Sequence, residues 1–208
     1  MVKNIVFDLG GVIITLSQDE AIRRFEALGV KDAARQLDTY TQQGIFGQLE
    51  EGLITAEQFR DQLSLMTGRS LTMEECEYAW TGYSGGVPER NLRKLEELRG
   101  RGYRLILLSN TNPFMQHWAN TDLKSFGGKP LRAYFDACYL SYECKLMKPD
   151  ERIFMKMLSE EKILPEETLF LDDGPRNVVA ASEVGIRTYC PVNGSDWTGV
   201  MEKFLQEE

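Results

Sequence analysis

Short apolar runs stopped by small or polar residues alternate along this chain with stretches in which apolar residues recur every three or four positions. Ile5-Val6-Phe7, Leu105-Ile106-Leu107-Leu108 and Leu169-Phe170-Leu171 are too short for helices and apolar throughout, the pattern of buried parallel strands. Cys138-Tyr139-Leu140 and Thr188-Tyr189-Cys190 read as two shorter strands. Val87-Pro88 opens a helix with Leu92, Leu95 and Leu98 on one face, ended by Gly100 and Gly102. Pro149-Asp150 starts another, with Ile153, Phe154, Met157 and Leu158 on its buried side. A helix from about Arg176 stops near Gly185, and Trp197 to Leu205 forms a closing helix. Strands alternating with helices predict an α/β fold, a parallel sheet with helices on both faces. The poorly periodic stretch from Asn112 to Asp136 is expected to be a long loop with one short helix.

The segment after the first strand has a different pattern. Ser17-Gln18-Asp19-Glu20, Thr55-Ala56-Glu57-Gln58 and Thr72-Met73-Glu74-Glu75 each have the form of a capping box, and Gly29 reads as a helix stop. Gly44, Gly52 and Gly68 fall between the periodic stretches as turns. Residues 15–85 are therefore expected to form a small helical insertion, with 1–14 and 86–208 making the sheet domain.

The 208 residues, 42% of them hydrophobic, suffice for one core and a small second lobe. A net charge of -8 and no Lys/Arg-rich run speak against a nucleic-acid partner. No apolar run is long enough to span a membrane. Met1-Val2-Lys3-Asn4 leads straight into a strand pattern, which argues against a signal peptide and for a cytoplasmic protein. Cys76, Cys138, Cys144 and Cys190 form no C-x-x-C pair and are expected to be reduced and mostly buried thiols.

The candidate chemistry lies where strands end. Asp8, Ser109 and Asp172-Asp173 each follow a strand, and Lys148 follows the Tyr139 strand. In an open parallel sheet these ends line one crevice. A carboxylate can attack phosphorus if positive charge offsets the meeting of two anions. A magnesium ion on carboxylates, a lysine and a hydroxyl donor supply that charge and hold the phosphoryl oxygens. Each part alone has a plainer reading: a strand-to-turn signal at Asp8, an N-cap cluster at Ser109-Asn110-Thr111-Asn112, a solvated helix start at Lys148, a turn at Asp172-Asp173-Gly174. Two adjacent carboxylates after a buried strand are costly without a cation, and the ordered conjunction is far more specific than any member.

Phe7-Asp8-Leu9-Gly10-Gly11-Val12, Leu108-Ser109-Asn110-Thr111, Lys148-Pro149 and Phe170-Leu171-Asp172-Asp173-Gly174 together resemble the four motifs of the haloacid dehalogenase-like (HAD) superfamily. The chain looks closest to its branch of sugar-phosphate phosphatases related to α-D-glucose-1-phosphatase and to the phosphatase domain of epoxide hydrolases, in which Glu50, Gly52 and Phe59 also look familiar. The resemblance implies a Rossmann-like core with an α-helical cap, and a magnesium-dependent phosphatase acting on a small phosphorylated metabolite such as a sugar phosphate. It implies Asp8 as nucleophile, Ser109, Asn110 and Lys148 as substrate-binding groups, and Asp8, the Gly10 carbonyl and Asp173 as metal ligands, with Asp172 adjacent.

Phosphatases of that family generally carry an acid–base aspartate where this chain has Gly10. The group it would replace is worth roughly 10²–10⁴-fold in rate. Glu50 and His117 are candidates to substitute, although a solvated helix face for Glu50 and a partly buried ring beside Trp118 for His117 are the preferred readings. Trp80, Tyr83, Phe114 and Trp118 are candidates to line a pocket, with packing the commoner role. The alternatives are a hydrolytic dehalogenase on the same scaffold, which needs no magnesium, and a non-catalytic phosphate-ligand binder. A mutase is weaker than either.

Overall fold

The computed structural model of the protein describes residues 1–37 and 44–206. Its strands are β1 (Asn4–Phe7), β2 (Thr15–Leu16), β3 (Ser84–Gly86), β4 (Arg104–Ser109), β5 (Ala137–Leu140), β6 (Thr168–Leu171) and β7 (Arg187–Tyr189). The first five helices are α1 (Gln18–Leu28), α2 (Ala33–Gln36), α3 (Gly44–Glu50), α4 (Ala56–Thr67) and α5 (Met73–Trp80). The rest are α6 (Glu89–Gly100), α7 (Pro113–Thr121), α8 (Ser141–Cys144), α9 (Glu151–Glu161), α10 (Pro175–Glu183) and α11 (Thr198–Gln206).

The main sheet has the order β5-β4-β1-β6-β7, and every pairing in it is parallel. Its apolar runs serve two layers at once. Ile5, Phe7, Leu105, Leu107, Leu169 and Leu171 point into one hydrophobic cluster. Val6, Ile106, Leu108 and Phe170 point into the other, against Ile153, Phe154, Met157 and Leu158 of α9 and Ala180 and Ala181 of α10. Period-two alternation between two cores explains why the strands read as continuous apolar runs.

The register brings the chemistry to one level. Phe7 pairs with Leu107 on one side and Leu171 on the other, and the Asp8 amide donates to the Leu171 carbonyl at 2.8 Å. Asp8 and Asp172 therefore leave the sheet side by side, with Ser109 two residues beyond the end of the β1–β4 ladder.

Helices α1 to α5 lie between β2 and β3, which pair antiparallel with each other and stand apart from the main sheet. Phe25, Phe46, Phe59 and Trp80, all buried, form the centre of this helical unit, with ring centroids 5.1–5.7 Å apart. Phe59 also meets Phe114 of α7 at 5.8 Å, tying the unit to the sheet domain. The capping boxes at Thr55/Gln58 and Thr72/Glu75 are both formed. The one expected at Ser17 is not: α1 starts there without a side-chain cap, because Glu20 turns to Arg24 at 2.7 Å and Arg23 at 2.5 Å. The Ser17 N–H itself donates to the Tyr83 carbonyl at 2.8 Å and is not open to Glu20.

The Asn112–Asp136 stretch holds a nine-residue helix, α7, capped by Asn112 Oδ1, which accepts from the Met115 amide at 3.1 Å, and a 3₁₀ turn at Leu131–Tyr134. Of the four free cysteines only Cys76 is buried, and Cys190 is exposed, so the expectation of mostly buried thiols is corrected. Among the described residues no helix is long and apolar enough to cross a membrane.

Candidate active site

A cavity of about 450 Å³ opens at the carboxyl ends of β1, β4 and β6. The sheet domain lines it with Asp8, Gly10, Ser109, Asn110, Lys148 and Asp173. The helical unit and its ribbon add Leu16, Glu50, Trp80 and Tyr83.

Lys148 is the hub. Its Nζ stands 2.9 Å from Asp8 Oδ1 and 2.5 Å from Asp172 Oδ2, and donates to the Leu108 carbonyl at 2.8 Å. Burial alone would lower the ammonium, but Asp172 and Asp8 beside it hold it above the ordinary lysine value. The lysine backbone is fixed by Asn110, whose Nδ2 donates to Lys148 O at 2.8 Å while its Oδ1 accepts from Lys148 N at 2.9 Å. Both ends of the Asn110 carboxamide are thereby engaged, which makes it a positioning group for Lys148. One amide hydrogen of its Nδ2 is not used in this pairing, and Asn110 also lines the cavity.

Asp172 is fully buried and fully compensated. Oδ1 accepts from the Gly174 amide at 2.7 Å and from Asn177 Nδ2 at 3.0 Å, and Oδ2 takes Lys148. The expectation that both carboxylates of the pair need a cation therefore narrows to Asp173. Among the described residues the Asp173 carboxylate takes a hydrogen bond only from its own backbone amide. Burial and then Asp172 push it up to about 6. Asp8 is likewise raised by burial, against the pull of Lys148 and with Asp172 and Asp173 adding to the rise.

Three carboxylates, Asp8, Asp172 and Asp173, thus converge, with ligand oxygens within 4.8 Å of one another. One ammonium serves two of them, which leaves a formal charge of -2. Hard oxygen donors and that unbalanced charge fit a magnesium ion. Gly11 keeps the loop tight against this point: at φ +70, a Cβ there would sit 2.1 Å from Asp173 Oδ2.

Ser109 is 1% exposed, and its hydroxyl makes only a long 3.4 Å contact to the Asn110 carbonyl, so it remains available to a ligand. Two supports of the site carry no sequence signal. Asn177, in the first turn of α10, holds Asp172, and Ser141 accepts from the Thr111 amide at 2.9 Å and donates to its carbonyl at 3.1 Å. Neither falls in an apolar period or a recognisable motif.

Glu50 is not on a solvated face. It is buried in the cavity wall, and burial pushes its carboxyl up to about 7, with the Asn112 amide pulling the other way and Asp8 adding to the rise. Among the described residues Asn112 Nδ2 meets no acceptor at full hydrogen-bond geometry, so its contact with Glu50 is a loose one. His117 is exposed, away from the cavity, with Nδ1 2.5 Å from Glu77 Oε2, which removes it as a proton donor there. Trp80 and Tyr83 do line the cavity, whereas Trp118 packs on Phe126 at 5.2 Å.

The model of the haloacid dehalogenase-like hydrolases matches residues 2–185. The chain belongs to that family. This hydrolase is 47% identical over 199 residues, 95% of each chain, to a D-ribitol-5-phosphate phosphatase of Bacteroides thetaiotaomicron. The hydrolase also superimposes on a HAD-like hydrolase from Porphyromonas gingivalis with a TM-score of 0.94, at 41% identity and 100% coverage of both chains. A HAD-family enzyme of Bacteroides thetaiotaomicron, solved with magnesium and inorganic phosphate, gives a TM-score of 0.88 at 36% identity, covering 96% of this chain and 99% of that one.

Proposed function

We infer that the protein is a magnesium-dependent phosphatase that hydrolyses a small phosphorylated sugar or polyol through an aspartyl phosphate on Asp8. The observation that carries this reading is the free Asp173 carboxylate beside an Asp8 already held by Lys148. The relative that acts on D-ribitol 5-phosphate, alike over nearly the whole chain, makes a phosphorylated polyol the first substrate to test.

The residues divide the work. Lys148 Nζ orients Asp8 and offers positive charge to a phosphoryl oxygen. The Ser109 hydroxyl donates to another. Magnesium on Asp8, Asp173 and the Gly10 carbonyl would offset the repulsion between carboxylate and phosphate. The Asp8 carboxylate attacks phosphorus, the ester bond breaks with its electron pair on the departing oxygen, and water later releases phosphate from Asp8. Residues 15–85 act as a cap over the organic part of the substrate, presenting Leu16, Glu50, Trp80 and Tyr83 to it. The placement beside the α-D-glucose-1-phosphatase branch rests on the motif residues and on Glu50, Gly52 and Phe59. Free thiols at all four cysteines support a cytoplasmic setting.

Phosphate release from D-ribitol 5-phosphate, sugar phosphates and nucleotides, with magnesium and with chelator, tests the reading. Wild-type activity that needs magnesium and vanishes in Asp8→Asn supports it. Equal release by wild type and Asp8→Asn overturns it, and halide release without metal would turn the assignment to a dehalogenase.

A further inference from the structure

We propose that Glu50 is the general acid and base of this enzyme, protonating the leaving oxygen in the first half-reaction and activating water in the second. The proposal rests on the phosphatase reading above.

The starting point is why position 10 is empty. A Cβ on Gly10 would lie 3.0 Å from Leu16 Cδ2 and 3.2 Å from Cδ1. The leucine of the β2 ribbon fills the space that a side chain at position 10 would take. With glycine at position 10, an acid–base group would enter the cavity from another element.

The titratable groups lining the cavity are few. Asp8 is the nucleophile, Asp173 is the free carboxylate of the metal site, and Lys148 is bound to two carboxylates. Arg176, an exposed guanidinium, does not give up its proton near neutrality. Tyr83 and Glu50 remain. A phenol with an ordinary value near 10 is a poor base at neutral pH. Glu50 is buried, is raised to about 7, and so is poised to exchange a proton there.

The fold aims this residue deliberately. Glu50 is the last residue of α3, and two residues on Gly52 has φ +70. A Cβ on Gly52 would sit 2.1 Å from the Tyr142 carbonyl oxygen, so only glycine lets the chain press onto the sheet domain at that point. That close approach pins the end of α3 against the cavity. Helix α3 packs on α4 and α8 and, through Phe46, on Phe25 of α1 and Trp80 of α5. Their charges are engaged elsewhere: Arg60 pairs with Asp61, Glu143 with Arg132, Glu20 with Arg23 and Arg24, Glu75 with Arg69 and Glu77 with His117, and Glu57 is exposed. Asp8 is the charged neighbour that bears on Glu50.

The protons balance. In the first half-reaction Asp8 bonds to phosphorus, the ester oxygen leaves with the electron pair, and neutral Glu50 gives it a proton, so the alcohol departs uncharged. In the second, Glu50 carboxylate takes a proton from water as its oxygen bonds to phosphorus. The Asp8–phosphorus bond then breaks, returning the pair to Asp8, and Glu50 is neutral again.

Glu50→Gln, which keeps shape and charge of the neutral form, is the test variant, with its melting curve as the check on folding. D-ribitol 5-phosphate and p-nitrophenyl phosphate are the substrates, with magnesium present. Loss of the acid should lower kcat on the alkyl ester by roughly 10²–10⁴-fold. p-Nitrophenolate needs no proton to leave, so stopped-flow should show a burst of one equivalent before slow turnover, as the aspartyl phosphate waits for a base. The wild-type pH limb near neutrality should disappear from steady-state kcat. A raised KM with unchanged kcat and no burst would make Glu50 a hydroxyl-binding residue and overturn the proposal. So would unchanged kinetics in a folded variant. If Glu50→Gln does not fold, Glu50→Asp replaces it, and an unaltered pH limb there overturns the proposal. Wild-type inactivity on both esters would instead remove the phosphatase reading itself.

Discussion

Lys148 Nζ is shared by Asp8 and Asp172, and the 2.5 Å contact to Asp172 is the shorter of the two. The lysine is thus anchored from behind, and Asp172 shapes the reaction without facing the substrate cavity. Lys148→Met should abolish phosphatase activity. It should also lower stability by about 3–5 kcal/mol at pH 7, because two buried carboxylates lose their partner. Adding Asp172→Asn to Lys148→Met should recover part of that stability. Urea melts of the two variants and wild type check both statements.

Asp173 and Ser109 lie in the same cavity and should fail differently. Asp173→Asn should raise the magnesium concentration for half-maximal activity at least tenfold, about 1.4 kcal/mol of binding. Ser109→Ala should reduce turnover with the magnesium requirement unchanged. Magnesium titrations of activity, read beside magnesium-dependent melting temperatures, separate the two.

Gly10 and Leu16 occupy one space between them. Gly10→Asp should destabilise the protein by about 1–3 kcal/mol through overpacking. Leu16→Ala in the same chain should relieve most of that cost. A double-mutant cycle on unfolding free energies gives the coupling.

Glu50 should leave a signature in stability as well as in rate. Its carboxyl is raised from 4.5 to about 7 in the folded protein, so the folded state keeps a proton that the unfolded chain has lost. That contribution is present below about pH 4.5 and is lost as pH rises towards 7. Glu50→Gln has no proton to lose. Its stability relative to wild type should climb between those values and level off above them, as read from denaturant melts across the range.

The five strands of the main sheet, α6, α9 and the strand-end residues were legible because buried parallel strands and amphipathic helices write their periods directly into the chain, whereas the short antiparallel pair β2 and β3 carries no such period. Capping was half legible: Thr55 and Thr72 close their boxes, whereas Glu20, with arginines three and four residues on, does not. Side-chain duty was harder to read. Asn110 holds the Lys148 backbone, a duty its motif does not announce, while Glu50 looked solvated and is buried. Both depend on contacts between segments far apart in sequence, for which no local pattern exists. Asn177 and Ser141 escaped notice for the same reason.

Thr15–Leu16 and Ser84–Gly86 run side by side, so the long excursion of the chain begins and ends at one root. Whatever is carried on that root can change length or be exchanged while the parallel sheet keeps its register. Leu16, however, belongs both to the root and to the cavity wall. A graft that brings a foreign helical unit must therefore bring its own neighbour for residue 10, or inherit this one, and that single choice decides which half of the molecule has to hold the proton.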